Sequence, residues 1–150
     1  MFYGYNQNNS GGNFEVDENV CHRLYIEADN ADDAYFIAQS KGVYFDGVQG
    51  GRDCPCCGDR WYSQDRPITL DYGTFPEDKA LKLAEKYGAQ CRVSDRQYRS
   101  HTHEITFPNI EAYAQYLADD YGWTVPDGRI FYKDGTVKEI FKNKQNDLEE

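Results

Sequence analysis

The nine-residue segment Asp53–Trp61, which reads Asp-Cys-Pro-Cys-Cys-Gly-Asp-Arg-Trp, constrains the fold more than any other part of the sequence. Cys54 and Cys57 are separated by two residues, a spacing that lets both thiolates turn toward one ion. Gly58 follows directly and permits the tight backbone approach that such a turn needs. We therefore predict a structural cysteine knuckle over residues 53–61 that supplies half of a metal site.

The other half of this site is left open by the sequence, because a structural zinc ion takes four ligands and there is no second Cys-x-x-Cys pair. His101 and His103 would share one face of an extended segment, and with Cys54 and Cys57 they would form a site of two sulfurs and two nitrogens. Cys56 is interpreted as a spare thiol. The competing ligands for the second half are Cys21, His22, Cys91 and Cys56 itself.

The cellular compartment follows from the N-terminal segment and the cysteine count. Residues 1–14 contain neither a basic residue nor an apolar stretch, so they resemble no secretory signal or transit peptide. No uncharged stretch approaches membrane-spanning length. Five cysteines, an odd number, favour reduced thiols or metal ligands over a disulfide framework. The prediction is a cytoplasmic protein that does not enter a membrane.

Length and charge limit the architecture and the partners. A chain of 150 residues fits one domain, predicted to span 1–150, and 13 Tyr, 8 Phe and 2 Trp predict an aromatic-rich core. The net charge of −10 disfavours generic nucleic-acid binding, because tracking a phosphate backbone requires positive charge. The acidity either serves solubility or provides a surface that meets a basic partner.

Turn and capping residues divide the first half of the chain. A short aromatic segment, predicted as an edge strand, runs into a turn-rich loop at 6–13. Alternating residues predict a strand over Val20–Ala28, followed by a helix to Ser40 that Asp29 or Asn30 caps. Val43–Phe45 is predicted to form the next strand.

The second half repeats one helix pattern twice. Thr74 to Glu77 predicts a helix that starts with a capping box and stops at Gly88, and Thr106 to Asn109 starts a similar helix that stops at Gly122. Asp134-Gly135 between two β-rich runs predicts a C-terminal hairpin, and 142–150 is a polar tail. Together these elements predict an α+β fold with about three helices on a mainly antiparallel sheet.

Charge is distributed unevenly between two neighbouring segments. Residues 104–128 lack Lys and Arg, which gives the third helix an acidic outer face. The candidate partner-binding residues on it are Glu111, Asp119 and Asp120. The preceding segment, 91–103, is locally basic, and a nucleotide-like anion could bind its arginines while a tyrosine stacks on the base. The ligand-binding candidates are Arg92, Arg96, Arg99 and Tyr98, although these arginines could instead pair with nearby carboxylates.

No motif predicts an enzyme. Cys54-Pro55-Cys56-Cys57 has the Cys-Pro-x-Cys form of glutaredoxins, but the residues after it do not continue as an amphipathic helix. The chain has no phosphate-binding loop and no dinucleotide-binding glycine pattern. The sequence therefore predicts a protein that acts by binding.

Two stretches of the sequence resemble a family of small tailed-phage proteins with no assigned activity. These are the N-terminal Tyr3–Gly12, which ends in Asn-Asn-Ser-Gly-Gly, and the central Asp53–Trp61. The resemblance implies a phage gene product made in the bacterial cytoplasm. By analogy, the leading hypothesis is a host-takeover or anti-defence protein that binds a host factor. The alternatives are a protein that sequesters a nucleotide-like small molecule and a minor virion structural protein.

Overall fold

The computed structural model describes residues 1–62 and 65–143 and confirms the α+β class with three helices. In chain order the elements are β1 Phe2–Gln7, β2 Arg23–Glu27, α1 Ala31–Ser40, β3 Trp61–Tyr62, β4 Asp71–Phe75, α2 Glu77–Tyr87, β5 Gln90–Tyr98, β6 His101–Thr106, α3 Ile110–Tyr121, β7 Gly128–Phe131 and β8 Val137–Ile140. A single turn of 3-10 helix lies at Ser10–Gly12.

The chain divides into two compact units, and each contains one sheet. The first unit comprises Met1–Ile68 and Ala118–Glu150, and the second is the continuous segment Thr69–Leu117. The helices and strands are therefore organised around two sheets. The boundary of a single domain at 1–150 stays a prediction.

The sheet of the first unit has the strand order β3-β1-β2-β7-β8. All neighbouring pairs are antiparallel except β2 and β7, which run parallel with Arg23 opposite Gly128. The N-terminal strand is not an edge strand, because β2 pairs along its length and Asn6 and Gln7 also pair with β3. The prediction for this strand was correct in type and wrong in position.

Alternation along the strands places the core of this unit on one face of the sheet. Tyr5 lies opposite Leu24 and Tyr3 lies opposite Ile26, and all four side chains are buried. They pack with two alanines of α1 and with two aromatic side chains, which are Ala34, Ala38, Trp61 and Phe131. Large aromatic rings supply much of the buried area, as the composition predicts.

The first helix begins as predicted and the strand predicted after it is absent. Asn30 caps α1, because its side-chain oxygen accepts a hydrogen bond from the Asp33 N–H at 2.8 Å. The segment Val43–Phe45 is irregular, not a strand. Its backbone follows the end of the helix, where the Val43 N–H donates to Ala38 O at 3.1 Å.

The second unit has a three-stranded antiparallel sheet in the order β4-β6-β5. Its core consists of Phe75, Ala80, Ile105, Phe107 and Tyr116. The helix stop at Gly88 is confirmed by a left-handed φ of 67°. The prediction of a capping box at the start of α2 is wrong, because the N-cap residue is Pro76 and no side chain caps the helix.

The C-terminal hairpin of β7 and β8 is confirmed. Gly135 has a φ of 94°, and Asp134 Oδ1 accepts the Thr136 N–H at 2.9 Å, so both residues of the predicted turn stabilise it. Most of the predicted polar tail, 144–150, lies outside the described residues. Within the described part of the chain, none of the helices has the length and apolar character that a bilayer crossing needs.

Candidate metal centre

Three cysteine side chains of the knuckle converge. The Sγ atoms of Cys54, Cys56 and Cys57 all lie within 4.8 Å of one another, and those of Cys54 and Cys56 are 2.8 Å apart. Among residues 1–62 and 65–143 this is the one group of three metal-ligating side chains so arranged. Thiolates are good ligands for zinc and other soft ions, so the cluster could hold a metal ion.

The local backbone explains why the three thiols converge. The N–H groups of Cys57 and Gly58 both donate to Cys54 O at 3.1 Å, which closes a tight turn over the four residues. Gly58 has a φ of 85°, and a β-carbon there would lie 3.3 Å from the Tyr62 hydroxyl. Glycine is therefore favoured by its left-handed conformation, which explains its place after the last cysteine.

The N-terminal loop holds this turn from the other side. Ser10 Oγ accepts the Cys54 N–H at 3.1 Å, and the Asn8 side-chain amide donates to Cys57 O at 2.8 Å and Asp59 O at 3.2 Å. The two segments are 44 to 51 residues apart in sequence. The loop predicted from its Asn, Ser and Gly content thus serves as a brace for the knuckle.

A buried arginine, Arg60, joins the loop and the knuckle. Its guanidinium donates to Gln7 Oε1 at 3.0 Å, to Ser10 O at 2.8 Å and to Asn13 O at 2.9 Å. Its backbone N–H donates to Asp53 Oδ2 at 2.8 Å. A buried guanidinium needs several acceptors in a specific arrangement, so Arg60 holds the loop against the cysteine knuckle.

Tyr44 adds a second link to the same carboxylate. Its hydroxyl donates to Asp53 Oδ1 at 2.5 Å and accepts from Arg60 Nε at 3.2 Å. Burial and this hydrogen bond raise the pKa of Tyr44. The hydroxyl therefore stays protonated and keeps donating to Asp53.

Cys54 and Cys56 differ in acidity. The hydrogen bond from the Cys56 thiol, followed by backbone and Cys57 contacts, lowers the pKa of Cys54, while the same contact raises the pKa of Cys56 to about 11. Cys54 is therefore the first of the pair to become a thiolate, the form that binds metal. Cys21 differs, because burial raises its pKa to about 12.

The other predicted metal ligands have different contacts. His101 Nδ1 lies 2.9 Å from Thr74 O, and His103 Nε2 lies 3.2 Å from Glu77. Both histidines are on β6 of the second unit and outside the cysteine cluster. Cys21, His22 and Cys91 are also outside it, whereas Cys56, interpreted as spare, is a member.

One arginine of the predicted anion site already forms ion pairs within the protein. Arg92 pairs with Glu104 at 2.7 Å and Asp71 at 3.1 Å and also contacts Thr106, so its charge is already compensated. The remaining candidates, Arg96, Tyr98 and Arg99, are exposed, and the Arg99 guanidinium lies 5.2 Å from the Tyr98 ring centre. Arg92 is therefore the member of this group least able to bind a ligand.

One of the predicted partner-binding acids is misplaced. Asp119 is buried and accepts the Asn143 N–H at 2.6 Å, so it does not belong to an exposed acidic face. Helical spacing alone did not reveal this bond, because its donor is 24 residues away. Asp120 is exposed and Glu111 is partly exposed.

A buried ion-pair network was not predicted from the sequence. Asp127 is 1% exposed, and its carboxylate lies 2.8 Å from both His22 Nδ1 and Arg23 NH1. It also accepts the Trp123 N–H at 2.9 Å. Arg23 and Asp127 are 104 residues apart and match no motif, so no sequence signal connects them.

This network supports an exposed apolar loop. Trp123 is 75% exposed and Val125 is 80% exposed. Thr124 Oγ1, between them, accepts the His22 N–H at 3.1 Å and donates to Pro126 O at 2.6 Å. The loop at 123–126 thus holds two large apolar side chains in solvent on a fixed backbone, which is typical of interaction sites.

A cleft of about 440 Å³ lies in the first unit between α1 and the hairpin. Ile26, Phe36, Ile37, Phe131 and Val137 give it apolar walls. Its lining includes both acidic residues and lysines, and Lys133 Nζ pairs with Asp29 at 2.5 Å.

Comparison with known proteins gives one assignment. No curated protein and no solved structure matches the chain. A family model described as a domain of unknown function matches residues 1–147, which includes the N-terminal loop, the knuckle and both sheets. The chain therefore belongs to the family described as Domain of unknown function (DUF7296).

Proposed function

We propose that this protein binds a structural zinc ion through the cysteine knuckle and acts by binding a partner, without catalysis. The observation that carries the metal assignment is the convergence of three thiols within 4.8 Å on a braced turn. Zinc in a tetrahedral site would leave a fourth position for a water molecule or a donor of a bound partner. Since the cysteines are at the surface, such a donor has access.

Metal analysis tests the zinc site directly. Protein purified without a metal-affinity tag should contain about one zinc per chain by mass spectrometry. Cys54→Ser and Cys57→Ser should each lose it, because each removes one thiolate of the set. Chelator should also lower the melting temperature of the wild type. Cys91→Ser is the matched control, since Cys91 lies on β5 outside the cluster, and it should retain the metal.

Two results would count against zinc. Wild-type protein without metal and with an unchanged melting temperature in chelator would refute the site. Zinc content unchanged in Cys54→Ser and in Cys57→Ser would place the metal elsewhere. Cys56→Ser then identifies the ligand set: loss of zinc supports a three-thiolate site, and retention would return Cys56 to the role of a spare thiol.

The partner-binding part of the proposal is supported by the exposed loop at 123–126. A tryptophan on a preorganised backbone loses little entropy on binding, which is why such residues dominate interface energetics. The resemblance to phage proteins suggests a host protein as the partner. The exposed Asp120 precedes the loop and would favour a basic surface on that partner.

We expect the protein to retain a specific host protein from bacterial lysate, and Trp123→Ala to reduce the affinity about tenfold or more, as measured with the purified partner. Leu81→Ala is the control, because Leu81 is also exposed but lies on α2 of the second unit. Equal loss in both variants would mean nonspecific apolar binding. A partner retained equally by wild type and Trp123→Ala would exclude the loop as the interface.

A further inference from the structure

A second cavity of the first unit, of about 310 Å³, has an unusual lining. It combines aromatic side chains with carboxylates and includes no basic residue. Its lining residues are Tyr35, Phe45, Asp46, Asp59, Trp61 and Tyr62. We call this cavity the aromatic-acidic pocket.

The two carboxylates of the aromatic-acidic pocket have no ion-pair partner. Within residues 1–62 and 65–143, neither Asp46 nor Asp59 pairs with a lysine, arginine or histidine. Asp59 Oδ1 accepts the Val48 N–H at 2.9 Å, which fixes its position while its second oxygen stays available. In a protein of net charge −10, the long-range field also favours a cation at this site.

Asp46 is held in a conformation that an aspartate rarely adopts. Its φ is 56°, in the left-handed region, and its carbonyl accepts the Gly50 N–H at 2.9 Å. Among non-glycine residues, Asp and Asn tolerate this region best. The turn thus fixes the backbone of an acidic residue whose side chain has no bond within the described residues.

The aromatic side chains add affinity for the same kind of ligand. Tyr35 and Phe45 are stacked with their ring centres 4.6 Å apart, and Tyr62 is half exposed. Aromatic faces attract ammonium and guanidinium groups and pack against their aliphatic stems. Trp61 is almost fully buried, and its indole N–H lacks an acceptor among the described residues.

The lining therefore selects a class of ligand. A metal ion is disfavoured, because the two carboxylates do not belong to any group of three metal-ligating side chains in the described chain. An anion would be repelled. An organic cation on an aliphatic stem satisfies the carboxylates and the rings.

We propose that the aromatic-acidic pocket binds the lysine or arginine side chain of a basic peptide segment in the partner. This inference rests on the partner-binding part of the proposed function and is independent of the zinc site. The larger cleft beside α1 offers no comparable selectivity, because its lining mixes lysines with acidic residues and Lys133 already pairs with Asp29.

Direct peptide titration tests the pocket without any lysate. Trp61 and Trp123 are the two tryptophans of the chain, so Trp61 becomes the single fluorescent reporter in a Trp123→Phe background. The probes are the blocked tripeptides Gly-Arg-Gly and Gly-Lys-Gly, with Gly-norleucine-Gly as the uncharged control. We expect saturable binding of a cationic tripeptide, weakened by high salt, and no binding of the norleucine tripeptide.

Variants that remove charge and keep shape make the test specific. Asp46→Asn combined with Asp59→Asn should weaken binding about tenfold or more, because both charges are lost. Asn suits the left-handed turn at 46 and retains an acceptor for the Val48 N–H, so the fold should be unaffected. Asp32→Asn, an exposed acid on α1 outside the pocket, is the matched control and should bind as wild type does.

Three outcomes would overturn the inference. These are no saturable binding of either cationic tripeptide, equal binding of the norleucine peptide, and unchanged affinity in the double variant. Agmatine is a further probe: binding much tighter than that of Gly-Arg-Gly would assign the pocket to free cations and refute a peptide ligand. If the protein captures its partner through Trp123 but binds no tripeptide, the proposed partner binding stands and the proposed role of the aromatic-acidic pocket is refuted.

Discussion

Asp127→Ala is expected to reduce the free energy of unfolding by about 3–5 kcal/mol, because it leaves a buried guanidinium without its carboxylate. Arg23 lies 2.8 Å from Asp127 and its side chain is 10% exposed, so water cannot replace the lost partner fully. The same change removes the acceptor of the Trp123 N–H. Urea denaturation at neutral pH measures the effect.

The pH dependence of this effect has a defined sign. Burial raises the pKa of Asp127, but the hydrogen bond from His22 and the charge of Arg23 outweigh burial, and the net pKa is lowered. The stabilisation is therefore present above the unfolded-state pKa of about 3.9 and is lost as the pH falls through the lower folded-state pKa. The difference in stability between wild type and Asp127→Asn should shrink as the solution is acidified.

Two controls accompany this experiment. Asp120→Ala removes an exposed carboxylate from the end of α3 and should change stability by less than about 0.5 kcal/mol. Asp127→Asn keeps an oxygen for the Trp123 N–H and should cost less than Asp127→Ala. A stability difference between wild type and Asp127→Asn that stays constant down to acidic pH would show that the charge of Asp127 contributes nothing.

Arg60→Leu is expected to cost a similar amount, about 3–5 kcal/mol. Leucine removes the donor to the buried Ser10 O and to Asn13 O, whereas Gln7 Oε1 keeps the Glu15 N–H. It also leaves the buried carboxylate of Asp53 without the cation 3.8 Å away. Because these acceptors lie in the loop that braces the knuckle, hydrogen exchange of the Cys54 amide should also accelerate.

Two further variants separate charge from geometry at this site. Arg60→Lys retains a cation but lacks the planar guanidinium that reaches three separated acceptors. It should therefore recover only part of the lost free energy of unfolding. Arg66→Leu changes an exposed arginine and should have little effect. Wild-type stability in Arg60→Leu would show that the loop and the knuckle are held by other contacts.

Local signals in the sequence predicted the parts of the fold that local chemistry determines. Asn30, Gly88 and the Asp134-Gly135 pair act within four residues of their own positions, so their roles were predictable. The cysteine knuckle is similar, because its turn closes between Cys54 and Gly58. Each of these features needs no knowledge of distant residues.

The errors concern residues whose partners are distant in sequence. Tyr44 lies in a β-rich stretch, but its hydroxyl bonds Asp53 and Arg60, and this irregular path replaces the predicted strand. Arg60 belongs to the predicted knuckle, but the sequence indicated no role for it. It is in fact buried, and its guanidinium donates to carbonyl oxygens more than 45 residues away. Asp119 likewise has the spacing of a surface residue, but it is buried and bonds a residue 24 positions away. Such pairings depend on the topology, which periodicity does not encode.

The parallel pairing of β2 with β7 bears on synthesis at the ribosome. Residues 23–26 meet partners at 128–131, so the ladder at the centre of the first sheet cannot close until almost the whole chain has emerged. The second unit is continuous from Thr69 to Leu117 and needs no later residues for its own three strands. Strands β1, β2 and β3 can pair with one another early, but one edge of β2 stays unpaired for most of translation, and this interval is when that edge is exposed to aggregation.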